Sequence, residues 1–244
     1  MIDESEWIAE FELFGPILIK SIKDVDGIIF DIEKHSDLVS LKGFSITVSS
    51  AAPDDAFICA QEKANRIFDY LSFLRGYAIG GYLKKIIENK PIGERKTGAL
   101  QFKTDIILFD AEDIDFGPIK DILENKNVKL SRQLAHYSMG LKSEYIPIKV
   151  QQFFQVAEDE YDSKHRFIEE YRWVRHIVSH PELNKSKIAM EKAKERGFDE
   201  CYVDLSNPRH MNKLQESLIP IKTEAHNIIN SHIPDFDKLF TAER

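Results

Sequence analysis

Hydrophobic positions in the first part of the chain recur mostly at a spacing of two. Trp7–Phe14 alternates loosely and is interrupted by Gly15-Pro16. The runs Gly27–Glu33 (GIIFDIE) and Leu38–Ser49 (LVSLKGFSITVS) are rich in β-branched and aromatic residues with turn signals between them, the pattern of strands with one buried face. The period then changes. Ala51-Ala52-Pro53-Asp54-Asp55 puts proline and acids where the first turn of a helix accepts them. Ala56, Ala60, Ala64, Ile67, Leu71 and Leu74 continue that helix as one apolar stripe, and Cys59 beside them reads as a further small core residue. Gly80-Gly81 reads as a turn, and Tyr82–Glu88 and Ala99–Phe109 read as two more strands around a Pro91–Gly98 turn. The pattern predicts a helix crossing a small, mostly antiparallel sheet.

The acidic run Asp110–Asp115 (DAEDID) reads as a loop and a domain boundary, because the period beyond it is 3.6. Four helices follow: Pro118–Asn125; Lys129–Leu141, with Leu130, Leu134 and Tyr137 inward; Pro147–Glu160, with Val150, Phe153, Phe154 and Ala157 apolar; and Asp162–His180, stopped by Pro181. Glu182–Gly197 is polar and Lys-rich and reads as a mobile excursion, with a helix as the alternative. A last helix, Asn207–Asn230, carries Pro220 as a kink. The predicted class is α+β: residues 1–115 form a small β-rich domain with one long helix and no assigned role, and residues 116–244 form an all-α bundle.

Composition narrows the function classes. Hydrophobic residues make up 43% of the 244 and charged residues 30%, as in a globular protein and unlike a disordered one. The formal net charge of −8 excludes a wholly basic, histone-like surface. The acidity is confined to one half: residues 1–115 carry 13 Lys and Arg against 21 Asp and Glu, whereas residues 116–244 carry 20 of each. Cys59 and Cys201 are too few for a disulfide scaffold or a metal cluster. No stretch approaches the roughly 20 apolar residues of a membrane span, and the opening Met1–Glu6 is acidic where a secretory signal is basic. The expectation is a reduced, cytoplasmic protein without membrane contact.

One helix concentrates chemistry. On Asp162–His180, turned at 100° per residue, Phe167, Tyr171, Val174 and Val178 form a stripe expected to face the core. Arg175, Ser179, Arg172, His176 and His180 form one polar arc of roughly 140°, and Glu169 projects at the same angle as its histidines. Arginine presents a planar, permanently charged fork to phosphate oxygens, and histidine transfers protons near neutrality. With the ribose 2′-hydroxyl as nucleophile, a cation and a proton-transfer group suffice to cleave RNA without metal. Between Ser163 and Arg196, nine Lys and Arg face five Asp and Glu, a local excess that draws anions. Arg175 and His180 flank the arc without touching, so a second copy laying the same face opposite would bring two of each into one site.

The string Arg175-His176-Ile177-Val178-Ser179-His180 resembles the signature of the HEPN superfamily (higher eukaryotes and prokaryotes nucleotide-binding domains): an Arg, four to six residues of which the first is polar, and a His, at the end of a helix in an all-α bundle. The resemblance covers roughly residues 116–234. Tyr137–Glu160, with its Tyr-x-x-Gly-Leu and Phe-Phe-Gln elements, is similar to bacterial HEPN proteins whose N-terminal half is β-rich. The resemblance implies a metal-independent endoribonuclease that acts as a homodimer through the motif helices. It needs no cofactor and leaves 2′,3′-cyclic phosphate and 5′-hydroxyl ends. It implies Arg175 on the transition-state phosphate, His180 as general base or acid, and His176 as the polar partner that orients it or contacts phosphate. Arg172, Ser179 and Glu169 are candidate substrate-binding residues.

Other readings of the same residues are blander. Glu169, Arg172 and Arg175 fit a solvated face with a Glu169–Arg172 pair at i, i+3. His176 and His180 at i, i+4 match a two-His metal clamp, but no Glu follows His176 and no third ligand is near. His136 could reach the same cleft or simply pack, and His226 and His232 read as surface or helix-end residues. The alternative functions are a non-catalytic HEPN-like module binding RNA, nucleotide or protein, with the acidic domain as a partner surface, and an accessory protein of a metabolic operon.

Overall fold

The computed structural model describes residues 4–23, 25–90, 97–99, 108–114, 117, 119–124, 126–179, 187–198, 204 and 206–233. The chain divides into two compact units between Asn127 and Val128, with Arg75–Ala78 grouped with the later one. The first unit holds β1 (Ser5–Ile22), β2 (Ile28–His35), β3 (Leu38–Ser50), α1 (Pro53–Arg75), β4 (Gly81–Glu88), β5 (Thr97–Ala99), β6 (Leu108–Ile114) and α2 (Ile119–Leu123). The strand order is β2-β3-β1-β4-β5, antiparallel throughout, and β6 adds to β1 in parallel. The second unit is helical: α3 (Val128–Lys142), α4 (Ile146–Glu160), α5 (Arg166–Ser179), α6 (Lys187–Glu195) and α7 (Pro208–Ser231). The architecture is α+β.

β1 does not stop at Gly15-Pro16. It pairs with β4 up to Leu13 and with β6 from Ile17 onward, and its register against β3 shifts between Glu12 and Ile17. Proline has no N–H for a ladder and is tolerated where pairing is broken; here it falls where one neighbour replaces another. The same exchange makes a strand of Leu108–Ile114, most of the run read as an acidic loop: the second half of β1 presents backbone groups that β6 satisfies. Gly81 opens β4, and Gly80 accepts a 3.0 Å hydrogen bond from the Phe14 N–H. Of the Ala99–Phe109 segment read as a strand, residues 100–107 lie outside the described residues, as do 91–96 of the turn before it.

α1 packs on the sheet through Ala56, Ala60, Ala64 and Ile67, all fully buried. Phe11, Phe44 and Phe68 close the core, with ring centroids 5.4–6.3 Å apart. Cys59 is exposed and not a core residue. In the first turns only the alanine stripe meets the sheet, so Phe57, Ile58 and Cys59 stay outside; from Phe68 to Phe73 burial is nearly continuous around the helix. α2 belongs with the sheet and not with the bundle. Ile119 and Ile122 are buried, and an Arg66 terminal nitrogen donates to the Ile122 and Leu123 carbonyls at 3.2 Å, satisfying the end of that short helix.

In the second unit, Leu130, Leu134, Tyr137, Val150, Phe153, Phe154 and Ala157 are all buried, as the 3.6 period predicts. Of the stretch 182–197, residues 182–186 lie outside the described residues and Lys187–Glu195 takes the helical alternative, with Ala193 and the following Phe198 both fully buried. α6 ends at Gly197, whose φ is +79°. The Phe198 N–H bonds the Ala193 carbonyl at 2.9 Å and the Gly197 N–H bonds the Lys194 carbonyl at 2.8 Å, a left-handed glycine cap. α7 continues through Pro220, with Asn207 capping its start on the Arg209 N–H at 2.9 Å.

Candidate active site on helix α5

α5 starts at Arg166, later than the period suggests, because Asp162–His165 makes a turn of its own. There the Asp162 carboxylate accepts the Lys164 N–H at 2.7 Å, and the His165 ring stacks on Tyr161 with centroids 3.7 Å apart. The buried positions of α5 are Ile168, Trp173, Val174 and Ile177, while Phe167, Tyr171 and Val178 are half-buried. The core face is therefore broader than the predicted stripe and rotated toward Trp173, because Phe198 after α6 covers that side with ring centroids 5.9 Å apart.

Arg175 is 38% exposed, and its Nε lies 3.5 Å from the Glu158 carboxylate of α4. That atom is shielded from solvent, so the exposed part of the side chain excludes it. His176 and Ser179 are half-buried, and the His176 Nε2 and the Ser179 hydroxyl are likewise shielded. Arg172 does not bridge to Glu169; it donates to the Ser163 carbonyl at the start of the helix. Glu169 is exposed, and its backbone carbonyl accepts from Lys192 of α6. His180 lies outside the described residues. The structure thus places Arg175, His176 and Ser179 at the end of α5, draws Arg172 back to Ser163 ahead of the helix, and leaves Glu169 exposed. His136 packs, its Nδ1–H donating to Gln152 of α4 at 2.8 Å. His232 is a helix-end residue as expected, and His226 is half-buried against Tyr137.

The partner of Arg175 belongs to a group that the sequence reading passed over. Glu158, Asp159 and Glu160 close α4 with three consecutive carboxylates and no base in its last turn, an unfavourable placement against the helix dipole. Each finds a cation on another helix: Glu158 takes Arg175, Asp159 takes Arg132 at 2.7 Å, and Glu160 takes Lys129 at 2.9 Å, with the His232 ring nitrogen hydrogen-bonded to it at 2.8 Å. Gln133 adds a 3.0 Å hydrogen bond to Glu160. The signal was available as three adjacent acids at a helix end. Burial alone would raise the Glu160 carboxyl, but the bonds from Lys129, His232 and Gln133 outweigh it and hold the group at about 2.

A carboxylate held below its unfolded value of about 4.3 stabilises the native state above that pH and ceases to do so as pH falls toward about 2. With a fifth of the Glu160 side chain in solvent, we expect a contribution of about 2 kcal/mol after screening. Glu160→Gln should lose less stability than wild type between about pH 4.5 and pH 2, measured as urea midpoints at each pH. Equal losses in the two proteins would contradict this role.

Among the described residues, no group of three or more His, Cys, Asp and Glu is placed to hold a metal ion. No family model, curated protein or solved structure matches the chain. No described helix is long and apolar enough to cross a membrane.

Proposed function

We propose that the helical unit is a metal-independent endoribonuclease of the HEPN type, acting as a homodimer whose α5 helices face one another across the RNA. The observation that carries this reading is Arg175. Its Nε lies 3.5 Å from the Glu158 carboxylate, near enough to pair by charge though not hydrogen-bonded to it, while more than a third of the side chain stays exposed, so a cation with part of its fork in solvent stands ready for a phosphate. Arg175 would stabilise the charge gathering on the phosphorane-like transition state. His180 would take the proton from the 2′-hydroxyl or return it to the leaving oxygen. His176, with Nε2 shielded, suits the orienting role better than direct contact with phosphate. The acidic β-rich unit would select the target RNA or a protein partner.

Cleavage should persist in EDTA, and the fragments should carry 2′,3′-cyclic phosphate and 5′-hydroxyl ends. Activity that disappears with chelation, or ends of the opposite polarity, would exclude this chemistry. One observation favours a second reading, a non-catalytic module binding RNA, nucleotide or protein: the shielding of the Ser179 hydroxyl and the His176 Nε2 removes two predicted contacts from solvent. On that reading RNA is retained at low salt and released intact.

A further inference from the structure

A notch in the sheet makes a second candidate site, wholly inside the first unit. β3 runs on to Ser50, but its pairing with β2 starts only at Ile46, opposite Ile28. Ahead of Ile28 the chain turns away. Gly27 takes a φ of +82°, which glycine adopts without strain, and the Ile28 N–H closes the turn on the Val25 carbonyl at 3.0 Å. Among the described residues, Thr47 and those after it in β3 therefore pair with β1 alone. α2, held by its buried isoleucines and by Arg66, borders the gap. Between the turn, β3, α1 and α2 a cavity of 420 Å³ remains, a size in the range of small-molecule sites.

The cavity is amphipathic. Val25, Ile28 and Ile46, all buried, and the half-buried Leu123 give it an apolar lining. Its charged groups are Lys63, Lys120, Asp26 and Glu124. Both acids are already answered: Lys120 pairs with Asp26 at 3.4 Å, and Lys126, beyond the lining, pairs with Glu124. The hydrogen bond from Lys126 holds the Glu124 carboxyl below its usual range, and Lys120 and Lys63 add to that through space, which sets the three cations in one neighbourhood. Lys63 of α1 is the one left over. It donates to the Thr47 carbonyl at 3.5 Å and, among the described residues, forms no ion pair.

A surplus positive charge beside apolar surface selects a ligand. A neutral hydrocarbon would leave the Lys63 ammonium without a partner, and a cation would be repelled by it. A phosphate would set two negative charges against Asp26 and Glu124 and bring nothing for the apolar lining. A single carboxylate matches the leftover charge, and an apolar chain attached to it covers the lining. We propose that this cavity binds a small monocarboxylate with an apolar chain, the carboxylate on Lys63 and the chain against Val25, Ile28, Ile46 and Leu123. The site does not depend on the ribonuclease reading of α5, and its test is binding alone.

Octanoate serves as the probe. In titration calorimetry of the full chain it should bind saturably. The methyl resonances of Ile28 and Ile46 should move with the same midpoint, while that of Ile148, exposed on α4 of the helical unit, stays in place. Octanol should bind about tenfold more weakly for want of the charge, and butyrate at least about tenfold more weakly for want of chain length. Lys63→Met should weaken octanoate by about tenfold and leave octanol unchanged, and Lys63→Arg should restore most of the octanoate affinity. Urea midpoints of the two variants confirm that each is folded. No saturable heat by about 10 mM octanoate, equal affinities for octanoate and octanol, shifts that spare Ile28 and Ile46, or wild-type affinity in Lys63→Met overturns the assignment.

Discussion

Arg175→Ala should lower RNA cleavage by about 10²- to 10³-fold, and His180→Ala by about 10²- to 10⁴-fold, while both proteins stay folded. The first figure is the loss expected when one charge-stabilising donor leaves a pre-organised site, and the second is the usual share of a proton-transfer group. The ion pair with Glu158 supplies the control. Arg175 also ties α5 to α4, so its removal could act through the fold; an ion pair with this exposure contributes at most about 1 kcal/mol. Glu158→Ala should therefore leave the folded state intact and reduce cleavage by no more than about tenfold, through lost orientation alone. Arg175→Lys keeps the charge without the fork and should fall between wild type and alanine. Single-turnover rates on a labelled RNA in EDTA, with circular dichroism on the same samples, separate these outcomes. Wild-type rates in both Arg175→Ala and His180→Ala would remove the proposed chemistry.

Gly43→Ala should destabilise the sheet unit by about 3 kcal/mol or more, the largest stability effect of any single change expected here. A Cβ at this position would lie 2.1 Å from the Phe11 carbonyl oxygen and 3.2 Å from the Glu12 Cα. These are backbone atoms, so no rotamer relieves the overlap. Gly43 pairs with Glu12 on one side and Asp31 on the other, and the register slips on both sides just beyond it. Gly81 makes the matching approach from β4, where a Cβ would meet the Glu12 carbonyl at 2.4 Å. β1 thus bends between two glycines, which allows an 18-residue strand to exchange neighbours along its length. The urea midpoint should fall sharply in Gly43→Ala and hardly move in Ser49→Ala, at an exposed position of β3. Trp7, buried and donating to the Ser50 carbonyl at 3.1 Å, is the local probe. A midpoint unchanged by the glycine substitution would show that the strands can separate at little cost.

Much of this molecule can be read from local rules. The change from period two to period 3.6, the proline starts of α1, α4 and α7, and the apolar faces of α3 and α4 all follow from interactions within a few residues, which a sequence displays directly. The grouping of Arg175, His176 and Ser179 on one helix end is of the same kind, since helical geometry alone sets it.

What depended on partners distant in the chain was not legible. Leu108–Ile114 is a strand because β1 has an edge to offer, and its acids gave no hint of that. Lys187–Glu195, which its polar sequence left open between helix and excursion, is a helix because Ala193 and Phe198 find covered places. Cys59 is outside because α1 meets the sheet first through alanines alone. The environment of Arg175 required Glu158, seventeen positions earlier on another helix. Sequence by itself determined the elements whose period is regular and which residues of a helix share a face. The tertiary structure alone decided which faces are covered and which charges are paired, because burial and Coulomb energies depend on distance in space and are silent about separation along the chain.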